Sequence, residues 1–264
     1  MTAGFDLHTG FRAPERGSAD TLAQFLHTVD RLPGIQRIHR AMREAMDLRD
    51  GEVLVDSGCG LGIETGRLAT DHPDVTVRGT DRNEKLLTQA QERLSTRNLS
   101  WHVHDLTEPG ELAGSADVVR TERVLIYQDD LAAAAEKLLR LLRPGGRLVS
   151  FELDYGAMLL PPGPFRPGLV DEIVEIMRDS LPQAWAGRRL PALLAERGLA
   201  VTSEPFSFGV NQQVWQRIVG DTLRTHAADR PEIKEWLHHH ETSGEVELSA
   251  AFTGVLTSAR LDTR

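Results

Sequence analysis

The 264-residue sequence holds a single cysteine, Cys59, so no disulfide can close within the chain. A reducing, cytoplasmic setting fits that scarcity. No apolar run approaches the roughly 20 residues that a membrane span needs. The start, Met1 to Asp6, carries an acid and no apolar core, unlike a secretory signal. Lysine is nearly missing. It occurs only at Lys85, Lys137 and Lys234, so arginine supplies almost all the positive charge. That bias points to a GC-rich, actinomycete-like bacterial genome. A surplus of cations is also missing. The formal net charge is -9, which argues against a general binder of nucleic acid or anionic membrane. Repeats and low-complexity tracts are absent, and the length suits one large domain or two small ones.

What is present centres on Val53 to Gly62. Val53, Leu54 and Val55 read as a buried parallel strand, Asp56 ends it, and Gly58, Gly60 and Gly62 form a Gly-x-Gly-x-Gly turn. A helix is expected from Ile63 to Thr70. Strand, glycine turn and helix make a nucleotide site at the carboxyl end of a first strand. The glycines permit positive φ and let a ligand approach bare backbone. A dinucleotide fingerprint needs Gly-x-Gly-x-x-Gly, and both registers fail, at Ile63 and at Thr65. Asp56 would also repel a pyrophosphate. A ligand with a cationic amino-acid end and no phosphate suits this loop better, which counts against a nicotinamide-dependent oxidoreductase.

The rest of the chain alternates strand and helix. Residues 1–17 are polar and interrupted by Gly10, Pro14 and Gly17, so a mobile leader is expected. Ser18 or Asp20 caps a helix whose Leu22, Phe25, Leu26 and Val29 share one face. Pro33-Gly34 breaks it. Ile35, Ile38, Met42 and Met46 mark a second amphipathic helix. The two helices either cover the site or simply pack on the sheet. Further strands are read at 75–81, 99–103, 116–121 and 147–153. Helices are read from Asn83 to Leu94 and over 131–142, the latter stopped by Arg143-Pro-Gly-Gly146. The alternation implies a parallel sheet with helices on both faces. After the stiff loop 160–164 come helices at 168–179 and 189–197 and a strand at 199–208. Two or three helices follow between 212 and 248, then a last strand at 251–260.

Val-Leu-Val-Asp-x-Gly-Cys-Gly-x-Gly closely resembles motif I of the class I S-adenosylmethionine-dependent methyltransferases. The resemblance covers about residues 35–260, with specific motifs between Val53 and Leu153. It implies an α/β fold: a doubly wound, seven-stranded, mostly parallel sheet whose last strand runs antiparallel between the fifth and sixth. It implies one domain over 1–264, with a leader and cover helices (1–50), a cofactor-binding half (51–154) and a substrate-side half (155–264) that carries a helical insertion. The cofactor implied is S-adenosylmethionine, and the partner a small-molecule methyl acceptor, of the kind used by bacterial natural-product enzymes. Oxygen, nitrogen and carbon acceptors all stay open.

Roles follow residue by residue. Asp81, 23 residues past Gly58, matches the ribose-binding acid expected roughly 20 residues on. Arg82 covers the adenine or is solvated. Asp105 reads the adenine amino group, and the Leu106 backbone N–H meets the ring. The Gly58 and Gly60 backbones face the ligand, while Asp56 steadies the loop or meets the methionine ammonium through water. Glu122, after the fourth strand, adds a carboxylate at that end. Tyr127 falls near the sulfonium methyl, in a segment where the family often has histidine; it is a catalytic candidate or a pocket wall. Candidate bases are His8, His27, His102, His104, Tyr155 and His238-His239-His240. Three adjacent histidines point in different directions on a helix and lack the partners of a zinc site, so no metal is expected. Glu152 and Asp154 are placed to orient substrate. Trp185, Phe206, Phe208, Trp215 and Trp236 either line a cavity or fill the core. Two further functions compete: a protein that keeps the cofactor without methylating, such as a cyclase or assembly partner, and an RNA methyltransferase, which the acidic balance disfavours.

Overall fold

The computed structural model describes residues 7–106, 112–243 and 250–262. The first six residues of the expected leader, and the end of the helical stretch expected to reach 248, lie outside them. Seven strands form one sheet: β1 (Val53–Ser57), β2 (Thr76–Asp81), β3 (Leu99–Val103), β4 (Ala116–Glu122), β5 (Leu142–Leu159), β6 (Ala200–Gly209) and β7 (Ala251–Arg260). Their order is β3-β2-β1-β4-β5-β7-β6. The first five are parallel. β7 runs antiparallel between β5 and β6, as the resemblance implies. Leu54, Val55, Val118, Val119, Leu148 and Val149 are fully buried, as expected of strands covered on both faces. Each such side chain contributes about 1.5–3 kcal/mol by leaving water.

The helices are α1 (Leu7–Arg12), α2 (Ala19–Asp30), α3 (Pro33–Met46), α4 (Ile63–Asp71), α5 (Glu84–Arg93), α6 (Leu131–Leu141), α7 (Leu169–Asp179), α8 (Ala186–Ala195), α9 (Gln212–Trp215), α10 (Asp221–His226) and α11 (Pro231–Ser243). Ser18 caps α2 by accepting from the Thr21 N–H, Asn83 caps α5, and Asp130 caps α6 through two N–H groups. Pro33 both ends the preceding segment and opens the first turn of α3, where its missing N–H costs nothing. Among the described residues no helix is long and apolar enough to cross a membrane.

Three expectations need correction. The leader is not wholly irregular: Leu7–Arg12 is helical, with Leu7, His8 and Gly10 buried, because one apolar face docks on the body of the protein. Arg143-Pro-Gly-Gly146 does not separate α6 from β5. The strand begins at Leu142, which pairs with Ala116, and the slip before Arg147 pairs with Val118 absorbs the Pro-Gly-Gly segment. Gly145 takes φ +79° within it. α8 starts at Ala186, earlier than 189, since Gly187 packs against the Glu152 and Leu153 carbonyls.

The glycine turn is built as the sequence demands. Gly58, Gly60 and Gly62 have φ of +75°, +55° and +64°. A Cβ on Gly62 would lie 2.3 Å from the Trp101 ring, whereas one on Gly51, also at positive φ, would meet nothing within 4 Å. Gly51→Ala should therefore cost only the left-handed backbone penalty of about 1–2 kcal/mol. Gly62→Ala adds an overpacking cost of about 1–3 kcal/mol. Urea midpoints that rank the two variants equally would refute this packing account.

Candidate active site

The carboxyl ends of the strands place one acid after another along a single edge. In sheet order these are Asp105 beyond β3, Asp81 on β2, Asp56 on β1, Glu122 on β4 and Glu152 on β5. At about 4.8 Å per strand the row spans roughly 19 Å. Above it lies a crevice roofed by α1 and α2. Asp56, Gly58, Gly60, Asp81, Arg82, Asp105, Leu106, Glu122 and Tyr127 all line it. So do Phe25, Leu26 and His39, which means that α2 and α3 both pack on the protein and cover the crevice.

Asp81 holds the glycine turn. Its Oδ2 accepts from the Gly60 N–H at 2.7 Å and its Oδ1 from the Asn83 N–H at 2.8 Å. Burial pushes its pKa up, and the two N–H groups oppose that. A carboxylate has about four lone-pair sites, so acceptor capacity remains toward the crevice. Arg82 is more committed than expected. Its guanidinium donates to the Phe11 carbonyl at 2.6 Å and to the Arg12 carbonyl, and it lies 3.8 Å from Asp105. It thereby clasps the end of α1 to the adenine side of the crevice. Burial, then Asp81 and Asp56, push the Cys59 thiol up, which disfavours the thiolate.

Asp56 and Glu122 reach the crevice already paired. Arg120, buried on β4, donates to Asp56 Oδ1 at 2.8 Å and to Glu122. Thr65 donates to the other Asp56 oxygen at 2.5 Å. His39 Nε2 lies 2.9 Å from Glu122, and its Nδ1 faces Glu64 at 3.4 Å and Asp30 at 3.8 Å. Arg43 grips Glu64 with two nitrogens, and Arg67 grips Asp30 likewise. Burial alone would lower the Arg120 pKa; Asp56, Glu122 and Glu64 outweigh it and hold the group above its usual value. Burial would raise Glu122, and His39, Arg123 and Arg120 instead hold it well below the carboxylate range. Sequence reasoning missed Arg120 and His39. Their signals were a lone cation inside the Ala116–Glu122 strand and a histidine four residues past Ile35 on the apolar face of α3.

Beyond β4 the chain makes a 3-10 turn at Leu125–Tyr127. Glu152, fully buried, accepts from the N–H groups of Val124, Leu125 and Ile126 at 3.1, 3.0 and 3.3 Å. Burial pushes its carboxyl up to about 7 against those three donors. Glu152 thus fixes the turn and is not placed to orient substrate. Asp154 is likewise taken up, by the Gly156 N–H and Arg188. Tyr127 faces His8, with Nδ1 3.4 Å from the phenol oxygen.

Of the other candidate bases, His8, His104 and Tyr155 line the crevice and His27, His102 and His238–His240 do not. His102 is exposed beside Ser100, and His240 is packed against Trp236. None of the five candidate aromatic liners reaches the crevice. Trp215 and Trp236 are core, Phe208 stacks on Phe252, Trp185 lies under Arg188, and Phe206 is only partly buried. Among the described residues no group of three metal-ligating side chains is assembled.

Comparison with known proteins bears on the fold. Residues 54–146 match the methyltransferase domain family. The 27-O-demethylrifamycin SV methyltransferase of Amycolatopsis mediterranei is 32% identical over 165 residues, 61% of this chain and 54% of that protein. Nocamycin O-methyltransferase of Saccharothrix syringae is 33% identical over 132 residues, 45% of this chain and 47% of that protein. The chain therefore spans about half the length of these curated relatives. The structure of Haemonchus contortus phosphoethanolamine N-methyltransferase 2 with S-adenosyl-L-methionine superposes with a TM-score of 0.61 at 14% identity, covering 98% of this chain and 60% of that one. Residues 54–146 are similar to the methyltransferase domain family, and the strand order with its antiparallel last strand is that of the Rossmann-like methyltransferase fold.

Proposed function

We propose that the chain transfers a methyl group from S-adenosylmethionine to a hydroxyl oxygen of a small molecule, in bacterial secondary metabolism. The observation that carries this is the end of β2, where Asp81 accepts from the Gly60 N–H and lines the crevice. The two relatives named above favour oxygen as the acceptor atom and a natural product as the acceptor. The single thiol fits a cytoplasmic enzyme.

The residues present suit the cofactor. Asp81 accepts both ribose hydroxyls. Asp105 accepts from the adenine amino group, and Leu106, buried beside it, offers a backbone N–H. Gly58 lets the loop pass against Val124, since a Cβ there would lie 2.3 Å from the Val124 side chain. When bound, S-adenosylmethionine supplies a methyl carbon on a positively charged sulfur that keeps the bonding pair as the carbon departs. The chain's own part is to place the acceptor oxygen close to that carbon and to exclude water. α1, clasped by Arg82, and the turn fixed by Glu152 form the two walls that do so.

Calorimetric titration tests the reading. The protein should bind S-adenosylhomocysteine and not NAD. Asp81→Ala should weaken that binding by about 1.5–3 kcal/mol, the scale of hydrogen bonds to a charged group. Because Asp81 also holds the turn, Asp81→Asn serves as a partner variant of the same size and should fall between the two. Tight NAD binding, or an unchanged dissociation constant in both variants of a folded protein, would refute the assignment.

A further inference from the structure

We infer that Tyr127 and His8 form a proton relay for the acceptor hydroxyl, and that the acceptor is a neutral, largely apolar hydroxyl compound for which a phenol is a fitting probe. The inference rests on the methyl-transfer reading above.

The two side chains come from opposite walls of the crevice. Tyr127 ends the 3-10 turn that Glu152 fixes through three backbone N–H groups. His8 lies on α1, which Arg82 clasps at the Phe11 and Arg12 carbonyls and which Arg12 ties to Asp129 at 3.2 Å. His8 is only 3% exposed, yet both residues line the crevice. With His8 Nδ1 3.4 Å from the Tyr127 oxygen, the phenol can donate to the imidazole and still accept a proton from a third group. The imidazole thus comes from α1, across the crevice from the turn that carries Tyr127.

The surroundings define the acceptor. Phe11 lies 5.4 Å from the Tyr127 ring and Tyr155 5.8 Å from His8. Leu153 and Ile218 complete that end of the crevice. Of the charged groups nearby, Glu122 is paired with Arg120, Arg123 and His39, Glu152 is turned to the backbone, Asp129 is paired with Arg12 and Asp154 with Arg188. An aromatic, weakly polar end with one relay suits an uncharged ring or chain carrying a hydroxyl.

Such a hydroxyl keeps its proton at neutral pH, so the oxygen must lose it as it gains the methyl. In the relay the acceptor proton passes to the Tyr127 oxygen while the Tyr127 proton passes to His8 Nδ1. The acceptor oxygen uses its freed pair to bond the methyl carbon, and the imidazolium afterwards returns its proton to water. Tyr127 touches the acceptor; His8 is the proton's destination.

The test uses 4-nitrophenol, which gains visible absorption on ionising, in a slightly acidic buffer where the free compound is colourless. With S-adenosylhomocysteine bound, the wild-type protein should bind the probe and produce the phenolate band. Tyr127→Phe and His8→Asn should each abolish that band, while calorimetry confirms that both variants still take up S-adenosylhomocysteine and are therefore folded. Absence of probe binding, binding without ionisation, or a band that survives in either variant would overturn the relay while leaving the methyl-transfer reading intact. Failure of the wild-type protein to bind S-adenosylhomocysteine would remove that reading and the relay with it.

Discussion

A buried guanidinium makes this crevice possible. Two acids, Asp56 and Glu122, end adjacent strands and face the same interior, and Glu64 and Asp30 stand behind them. Carboxylates that close together, out of water, would push one another toward protonation or push the strands apart. Arg120 lies between Asp56 and Glu122 and answers both. Arg43 and Arg67 balance the outer acids, Arg123 adds to the balance at Glu122, and His39 sits among Asp30, Glu64 and Glu122. The result is a nearly neutral floor of paired charges, in which Arg120 Nε and His39 Nδ1 make no hydrogen bond among the described residues. Isolated surface pairs such as Arg140–Glu136 contribute little by comparison, since solvent screens them.

On that floor the glycine turn and the two walls are each held by a side chain bound to main chain. Asp81 fixes the turn through backbone donors, Glu152 fixes the segment after β4 in the same way, and Arg82 fixes α1 through backbone acceptors. In each case a charged side chain binds main chain, so the neighbouring residues keep their side chains for the crevice. Tyr127 and His8 are set in place by this arrangement together with their ring contacts to Phe11 and Tyr155.

Much of this was legible in the residues. The strand, turn and helix at Val53–Asp71 follow from hydrophobic run, acid and glycine spacing, and the positive φ of all three glycines bears that out. The seven strands and the antiparallel last one followed from the resemblance, and the strand order bears them out. What the sequence hid were long-range pairings. Nothing local says that Arg82 turns back to α1, 70 residues away, or that Arg120 meets Asp56 across 64 residues. Glu152 reads as a strand-end acid aimed outward, and only the fold shows three N–H groups waiting for it. The leader reads as polar and irregular because α1 is a mere six residues, too short for its apolar face to register as a period. The tryptophans of the second half were ambiguous because apolar side chains suit a core and a cavity equally; the fold sends Trp215 and Trp236 to the core and lays Trp185 against it, under Arg188.

Denaturant unfolding of Arg120→Met tests the role of the central cation most directly. The side chain is of similar length but leaves Asp56 and Glu122 buried without their partner, so stability should fall by about 3–5 kcal/mol. Adding Asp56→Asn and Glu122→Gln, which remove the unpaired charges, should recover part of that loss. A single variant that unfolds at the wild-type midpoint would contradict the claim that Arg120 holds the acid-lined crevice together.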